Sequence, residues 1–215
     1  MGVKASEIPV YLVVRDRVND LRGMVSWLEA AGQESITLLD NASTYPPLLD
    51  YLTSQGSRVH YLGANLGHSC LFVAGLAPET PFIYSDPDLV FLGPHDGVEY
   101  LWDVAQRYPD RNKVGFGLTL DGVREDMPSL NWEQELWNPA RIIESGVFSA
   151  PIDTTFAIWQ TGNGGWDGIG TGAPYVMSHT SWNTTPDNMT EEDRYYLSHV
   201  EGPSSSWAVG LGIVK

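Results

Sequence analysis

The sequence predicts an α/β fold, a mostly parallel central sheet covered by helices on both faces. Three observations carry that prediction. Short β-branched apolar runs alternate with stretches of helical periodicity through the first half of the chain. The connections between them are short, as they are when helices cross back over a parallel sheet. Clusters of polar residues follow the apolar runs directly, where the carboxyl ends of such strands would lie.

In chain order, residues 8–14 form a buried strand opened by Pro9. Leu21, Met24, Val25 and Leu28 then fall at i, i+3, i+4 and i+7. That spacing makes one helix, with Asn19 or Asp20 as N-cap and Gly32 at its close. Residues 35–39 are a second strand, ending in Asp40-Asn41-Ala42-Ser43-Thr44. Pro46 and Pro47 enter the next helix where proline is tolerated, and Tyr45, Leu48, Leu49 and Leu52 repeat the helical spacing. Residues 58–62 read as a third strand and 66–76 as helical. Residues 81–85 are the fourth strand, broken at Asp86-Pro87-Asp88. Val98, Leu101, Trp102 and Ala105 mark a helix, followed by a strand over 114–120. The second half is less regular: a short helix over 132–137, a strand over 153–159, a glycine-rich loop over 162–172, and a Pro/Ser-rich, then apolar, end from Glu201.

The composition narrows the function. The chain has 215 residues, 42% apolar, with 22 glycines and 14 prolines, which suits one globular domain rich in turns. No apolar run approaches the roughly 18 to 20 residues of a membrane span, and no apolar stretch of signal-peptide kind follows Lys4, so a soluble, cytoplasmic protein is expected. Cys70 is the single cysteine, which excludes an internal disulfide. A formal charge of −15 argues against a broad nucleic-acid footprint. Arg15, Arg17 and Arg22 nevertheless cluster after the first strand; they read either as a patch for a small doubly phosphorylated ligand or as a solvated loop.

The loops holding Arg15, Asp40, Asn65 and Asp86 should converge in one crevice beyond the strand ends. Within it, Asp86-Pro87-Asp88 sets two carboxylates one residue apart between the apolar runs Phe82-Ile83-Tyr84 and Leu89-Val90-Phe91. A hard divalent cation takes such oxygen ligands and keeps positions open for diphosphate oxygens. The same spacing also occurs in plain acidic turns.

With these stretches the chain resembles GT-A glycosyltransferases, close to glycosyltransferase family 2 and its small bacterial and phage relatives. The resemblance runs over residues 8–207. It rests on 10–15, Leu38-Leu39-Asp40-Asn41-Ala42-Ser43, Gly63-Ala64-Asn65-Leu66-Gly67-His68, 85–91, Ile152-Asp153-Thr154-Thr155-Phe156-Ala157, and Pro174-Tyr175 through His179-Thr180-Ser181-Trp182. It implies metal-dependent, inverting transfer of a sugar from a nucleotide-diphosphate sugar, with a UDP-sugar foremost, to an acceptor hydroxyl. Residues 8–120 would bind the donor, and 121–215 would form the acceptor side and tail.

By that resemblance Asp40 holds the base or ribose, and Arg15, Asn41, Asn65, Gly67, His68 and Asp86 line the donor pocket. Asp86 and Asp88 bind the metal, Asp88 directly, with His179 as a third ligand; an imidazole beside two carboxylates suits Mn²⁺ somewhat better than Mg²⁺. The Glu-Asp pair that supplies the family's catalytic base is missing. Asp153, which Thr154 and Thr155 could orient, and Glu133, between Trp132 and Gln134, are the candidates. Trp132 and Trp182 are candidates for stacking on a sugar or base, and Ser204-Ser205-Ser206-Trp207 for a lid. The acceptor is a glycan or a hydroxymethylated pyrimidine in phage-type DNA. The net charge disfavours DNA, unless Arg107, Arg111, Lys113, Arg124 and Arg141 supply a local basic face. No obligate protein partner is evident. The alternatives are a nucleotidyltransferase, against which the glycine-free Val13-Val14-Arg15-Asp16-Arg17 counts, and a non-catalytic glycan-binding relative.

Overall fold

The computed structural model describes residues 3–127, 130–160 and 167–199. In order they form β1 (Val10–Val14), α1 (Val18–Ala30), β2 (Ile36–Asp40), α2 (Pro46–Gln55), β3 (Val59–Tyr61), α3 (Cys70–Val73), β4 (Phe82–Ser85), β5 (Leu89–Phe91), α4 (Gly97–Arg107) and β6 (Lys113–Leu118). Then follow α5 (Leu130–Leu136), β7 (Ile142–Glu144), β8 (Val147–Ser149), β9 (Ala157–Trp159), β10 (Gly168–His179) and α6 (Glu191–His199).

The strands join one mixed sheet in the order β3-β2-β1-β4-β9-β6-β10-β8-β7, with β5 also on β10. The pairs β3-β2, β2-β1, β1-β4 and β6-β10 are parallel, while β9, β8 and β5 run against their neighbours. The strand β9 inserted between β4 and β6 therefore restores a common direction on its far side. Consequently β1, β2, β4, β6 and β10 all end at the same edge of the sheet. No helix of the described residues is long and apolar enough to cross a membrane.

Alternation along each strand divides the core. Val10, Leu12 and Val14 of β1 and Ile83 of β4 pack on α1, α2 and α4, with Leu21, Met24, Leu28, Leu48 and Leu101. The intervening Val13, Phe82 and Tyr84 face a smaller cluster with Leu39, Cys70, Leu71 and Trp159 on the opposite side.

Several local expectations are corrected. The helix expected over 66–76 shrinks to the four residues of α3, because Asn41 holds the preceding loop: its Oδ1 accepts from Leu66 N at 2.7 Å and its Nδ2 donates to Gly67 O at 3.0 Å. The strand expected over 153–159 is confined to β9, since Thr154 turns back towards Asp86. Residues 168–172, read as loop, belong to β10. Their glycines mark close approach, not a turn: a Cβ on Gly168 would lie 3.0 Å from Lys113 O, and one on Gly172 2.8 Å from a ring carbon of Phe148. Residues 162–166 and the proposed lid at 204–207 lie outside the described residues. The first helix begins at Val18, ahead of Asn19 and Asp20, because the distant Glu192 carboxylate accepts from Val18 N at 2.7 Å and Asn19 N at 2.9 Å.

Candidate active site

The carboxyl edge of the sheet brings together the segments that follow β1, β2, β4 and β10. After β4, Asp86 and Asp88 occupy the link to β5, outside either strand. Asp86 N donates to Thr154 O at 3.0 Å, and Thr154 Oγ1 donates to Asp86 Oδ2 at 2.7 Å. Asp88 turns to the other side, where its Oδ2 accepts from Ser181 Oγ at 2.8 Å and lies 3.6 Å from His179 Nδ1. Antiparallel pairing of β5 with the end of β10 sets His179 opposite Leu89, which brings the imidazole beside Asp88. The His179 ring stacks on Trp182, centroids 4.8 Å apart and planes within 6°. Trp182 is buried there and supports the imidazole, so of the two tryptophans only Trp132 is exposed to a ligand.

The electrostatics of this trio are lopsided. Burial and the charge of Asp88 push Asp86 up to about 8. Asp88 is shifted down instead: burial raises it, but His179, Arg17 and the Ser181 hydroxyl together outweigh that. Burial lowers His179 below the ordinary imidazole range, against the pull of Asp88. Two buried carboxylates that repel each other beside an imidazole are groups whose charge a dication would relieve. Among the described residues no group of three carboxylate, imidazole or thiol side chains is arranged to hold a metal ion. As they stand, Asp88 faces Ser181 and His179 while Asp86 is bonded to Thr154, so the three do not converge on one point.

The three arginines after β1, open from sequence to a phosphate patch or a solvated loop, are placed in three different settings. Arg17 is buried, donating to Asp20 Oδ2 at 2.8 Å and lying 3.5 Å from Asp193 and 4.0 Å from Asp88. It lies under the acidic group and balances it. Arg22 points over the Tyr51 ring, 5.0 Å from its centroid. Arg15 alone of the three remains at the crevice, half-buried, with Nη1 3.4 Å from Asn41 O.

At the end of β2, Asp40 is buried, with Oδ1 accepting from Ser43 N at 3.1 Å. Asn41 is buried too, and both ends of its amide are committed to the 66–67 loop, so it shapes the pocket and does not face a ligand. Asn65 and His68 are exposed on that loop; Asn65 Oδ1 accepts from Gly67 N at 3.1 Å, and Gly67 takes a φ of 74° to allow the turn. Asp16 was missed among the arginines. It sits at φ 51°, buried, with Oδ1 accepting from Thr44 N at 2.6 Å and Tyr45 N at 2.8 Å, and so ties the β1 loop to the start of α2. Ser181 stood in a matched stretch with no role of its own; the fold brings it to Asp88.

The two candidate bases share one pocket on the face of the sheet opposite α1. Its cavity volume is about 40 Å³, and Asp153 and Glu133 are its charged lining residues. Asp153 is exposed on the loop before β9, and the threonine expected to orient it is bonded to Asp86 instead. Glu133, on α5, is buried, and burial together with Asp153 pushes it up to about 7. Lys113 lies beneath, buried, donating to Ile152 O over the Trp159 ring; burial lowers it to about 8.

No protein-family model matches the chain, nor does any curated protein sequence. Among solved structures, the chain is similar to a mannosyltransferase from Pyrobaculum calidifontis in complex with GDP-Man and Mn²⁺. The TM-score is 0.53 at 11% identity, over 97% of this chain and 76% of that one. That likeness is one of fold, a mixed α/β sheet flanked by helices.

Proposed function

We propose that the protein is a metal-dependent glycosyltransferase that moves a sugar from a nucleotide diphosphate, UDP-sugars first among candidates, to an acceptor hydroxyl with inversion. One observation carries the reading. The unequal pair Asp86 and Asp88, with His179, lies at the carboxyl edge of the sheet between the donor-side loops of β1 and β2 and a pocket holding a buried carboxyl of near-neutral pKa. The fold shared with a transferase solved with a nucleotide-sugar and Mn²⁺ supports the same reading.

In this account Asp86, Asp88 and His179 would hold the metal, which would offset the charge gathering on the departing diphosphate. Asp40 and Arg15 bind the nucleoside, and Asn65 and His68 flank it. Glu133 takes the acceptor proton: its carboxylate accepts the hydroxyl hydrogen as the acceptor oxygen bonds to the sugar's anomeric carbon. The bond from that carbon to the diphosphate oxygen breaks, and its electron pair leaves with the diphosphate. A carboxyl near 7 suits this work better than an ordinary one, because it is both substantially ionised and basic at working pH. That preference places Glu133 ahead of Asp153, the reverse of the order suggested by sequence.

The test is release of free nucleoside diphosphate from UDP- and GDP-sugars, with and without Mn²⁺. The account expects metal-dependent release by the parent chain, and loss of its acceptor-stimulated part in Glu133→Gln. Equal release without metal, or a Glu133→Gln variant as fast as the parent while Asp153→Asn is dead, would overturn it.

A further inference from the structure

A second cavity, of about 260 Å³, lies on the side of the sheet edge to which Asp88 turns. Its walls come from the start of α1, the turn Thr180–Asn183 that follows β10, the loop after that turn, and the start of α6. Thr180 joins it to the acidic link, since its Oγ1 lies 3.1 Å from Asp88 O. Every lining residue is polar, and none is aromatic or aliphatic. An apolar ligand would find no surface to bury there.

Much of the lining is committed within the protein, and the groups that remain define the ligand. Arg17 stands among Asp20, Asp193 and Asp88, so these charges largely balance one another. Both helix starts are capped by the chain's own side chains. Glu192 Oε2 accepts from Val18 N and Asn19 N, and Thr190 Oγ1 accepts from Asp193 N. Neither start is therefore open to an anion.

Three buried groups on the lining are left over. Glu192 is 4% exposed, yet its Oε1 has no hydrogen-bond partner among the described residues. Thr184 is 7% exposed; its N donates to Ser181 O and its O accepts from Arg124, but its Oγ1 has no partner among them. Asn183 Oδ1 is buried and also unpaired. Asn19 adds an exposed carboxamide at the mouth. Buried polar atoms rarely stay unpaired, so three on one cavity wall mark where the polar groups of a ligand belong.

The uncommitted groups are a carboxylate oxygen, two carboxamides and a hydroxyl, donors and acceptors side by side. A phosphate would meet three carboxylates and a single guanidinium that they already engage. An ammonium would satisfy the acceptors and leave the amide and hydroxyl hydrogens facing it. Neighbouring hydroxyls on a ring offer each of these groups a donor or an acceptor as required. The size suits one ring, since sites for drug-sized ligands begin at roughly 300 Å³.

We infer that this cavity binds a neutral sugar ring through Glu192, Asn183, Thr184 and Asn19. It lies across the sheet from the pocket of Glu133, and binding there does not depend on the transferase reading.

The test titrates the ¹⁵N-labelled full chain with the methyl glycosides of glucose, mannose, galactose and N-acetylglucosamine, and separately with spermidine and inorganic phosphate. At least one glycoside should saturably shift the side-chain amides of Asn19 and Asn183 and the backbone amides around Thr184 and Glu192. Thr184→Val keeps the shape of its side chain, and Asn19→Ala alters an exposed one. Each should weaken that binding roughly threefold to tenfold, the worth of one hydrogen bond, with thermal unfolding as in the parent. Should Thr184→Val not fold, Asn19→Ala carries the same comparison. The inference is overturned if no glycoside shifts these signals, or if spermidine or phosphate shifts them and the glycosides do not. Glycoside shifts confined to the pocket of Glu133, or full affinity in every folded variant, overturn it equally.

Discussion

Glu133 ties activity and stability to the same proton. Burial and the Asp153 charge raise its pKa from an ordinary 4.5 to about 7. Between those values the folded chain keeps a proton that the unfolded chain has released. The group's contribution to stability is therefore complete below about pH 4.5 and is lost as the pH rises through about 7. Glu133→Gln, which stays neutral, should match the parent in thermal unfolding at pH 4.5 and melt higher at pH 8 by several degrees, since about 1 kcal/mol moves a chain of this length by roughly 2–4 °C. The parent's kcat should climb with pH through about 7, while a flat profile from pH 5 to 9 would remove Glu133 from the chemistry. Arg17 makes the opposite kind of prediction. It is the cation among Asp20, Asp88 and Asp193, so Arg17→Met leaves buried carboxylates unbalanced and should cost about 3–5 kcal/mol at pH 8. Denaturant melts should show that loss shrinking towards pH 4, as the acids take up protons. Glu133 was a candidate base from sequence, but its burial was not legible there; the setting of Arg17 was not legible because two of the acids beside it come from positions 88 and 193.

Elements show a similar division between what periodicity reveals and what long-range contacts decide. The alternation of β1 and β4 and the i, i+3, i+4 spacing of α1, α2 and α4 were legible, because each buries its own apolar stripe. The glycine-rich part of β10 was not, since close packing and loop formation leave the same residue in the sequence. The helix α6 did have a readable start: Thr190 and Asp193 cap each other reciprocally, Thr190 N to Asp193 Oδ2 at 2.9 Å and Asp193 N to Thr190 Oγ1 at 3.1 Å. Its partner was invisible, because Glu192 of α6 caps α1 across more than 170 positions. That cap joins the end of the described chain to the helix that follows β1. Glu192→Ala should lower stability by about 1–2 kcal/mol, and Glu192→Gln, which keeps an acceptor oxygen, by clearly less. Equal melting of the two variants would show that the carboxylate is no cap.

At the scale of the whole molecule, a net −15 is spread over a surface whose arginines are largely paired with acids. Self-repulsion of that kind is screened by salt, so raising NaCl from about 10 mM to 0.5 M should raise the melting temperature. The parallel half of the sheet and its shared strand edge were predicted from sequence, and with them the crevice where β1, β2 and β4 end. The pocket opposite α1 was not, because its walls come from β6, α5, β8 and β10. The account as a whole depends on Asp88 gripping a cation together with the donor diphosphate. Titration calorimetry of a UDP- or GDP-sugar with and without Mn²⁺, on the parent and on Asp88→Asn, tests this most directly. The account predicts donor binding that Mn²⁺ strengthens in the parent and a loss of about tenfold or more of that gain in the variant. Equal Mn²⁺-dependent affinity in the two proteins would contradict it.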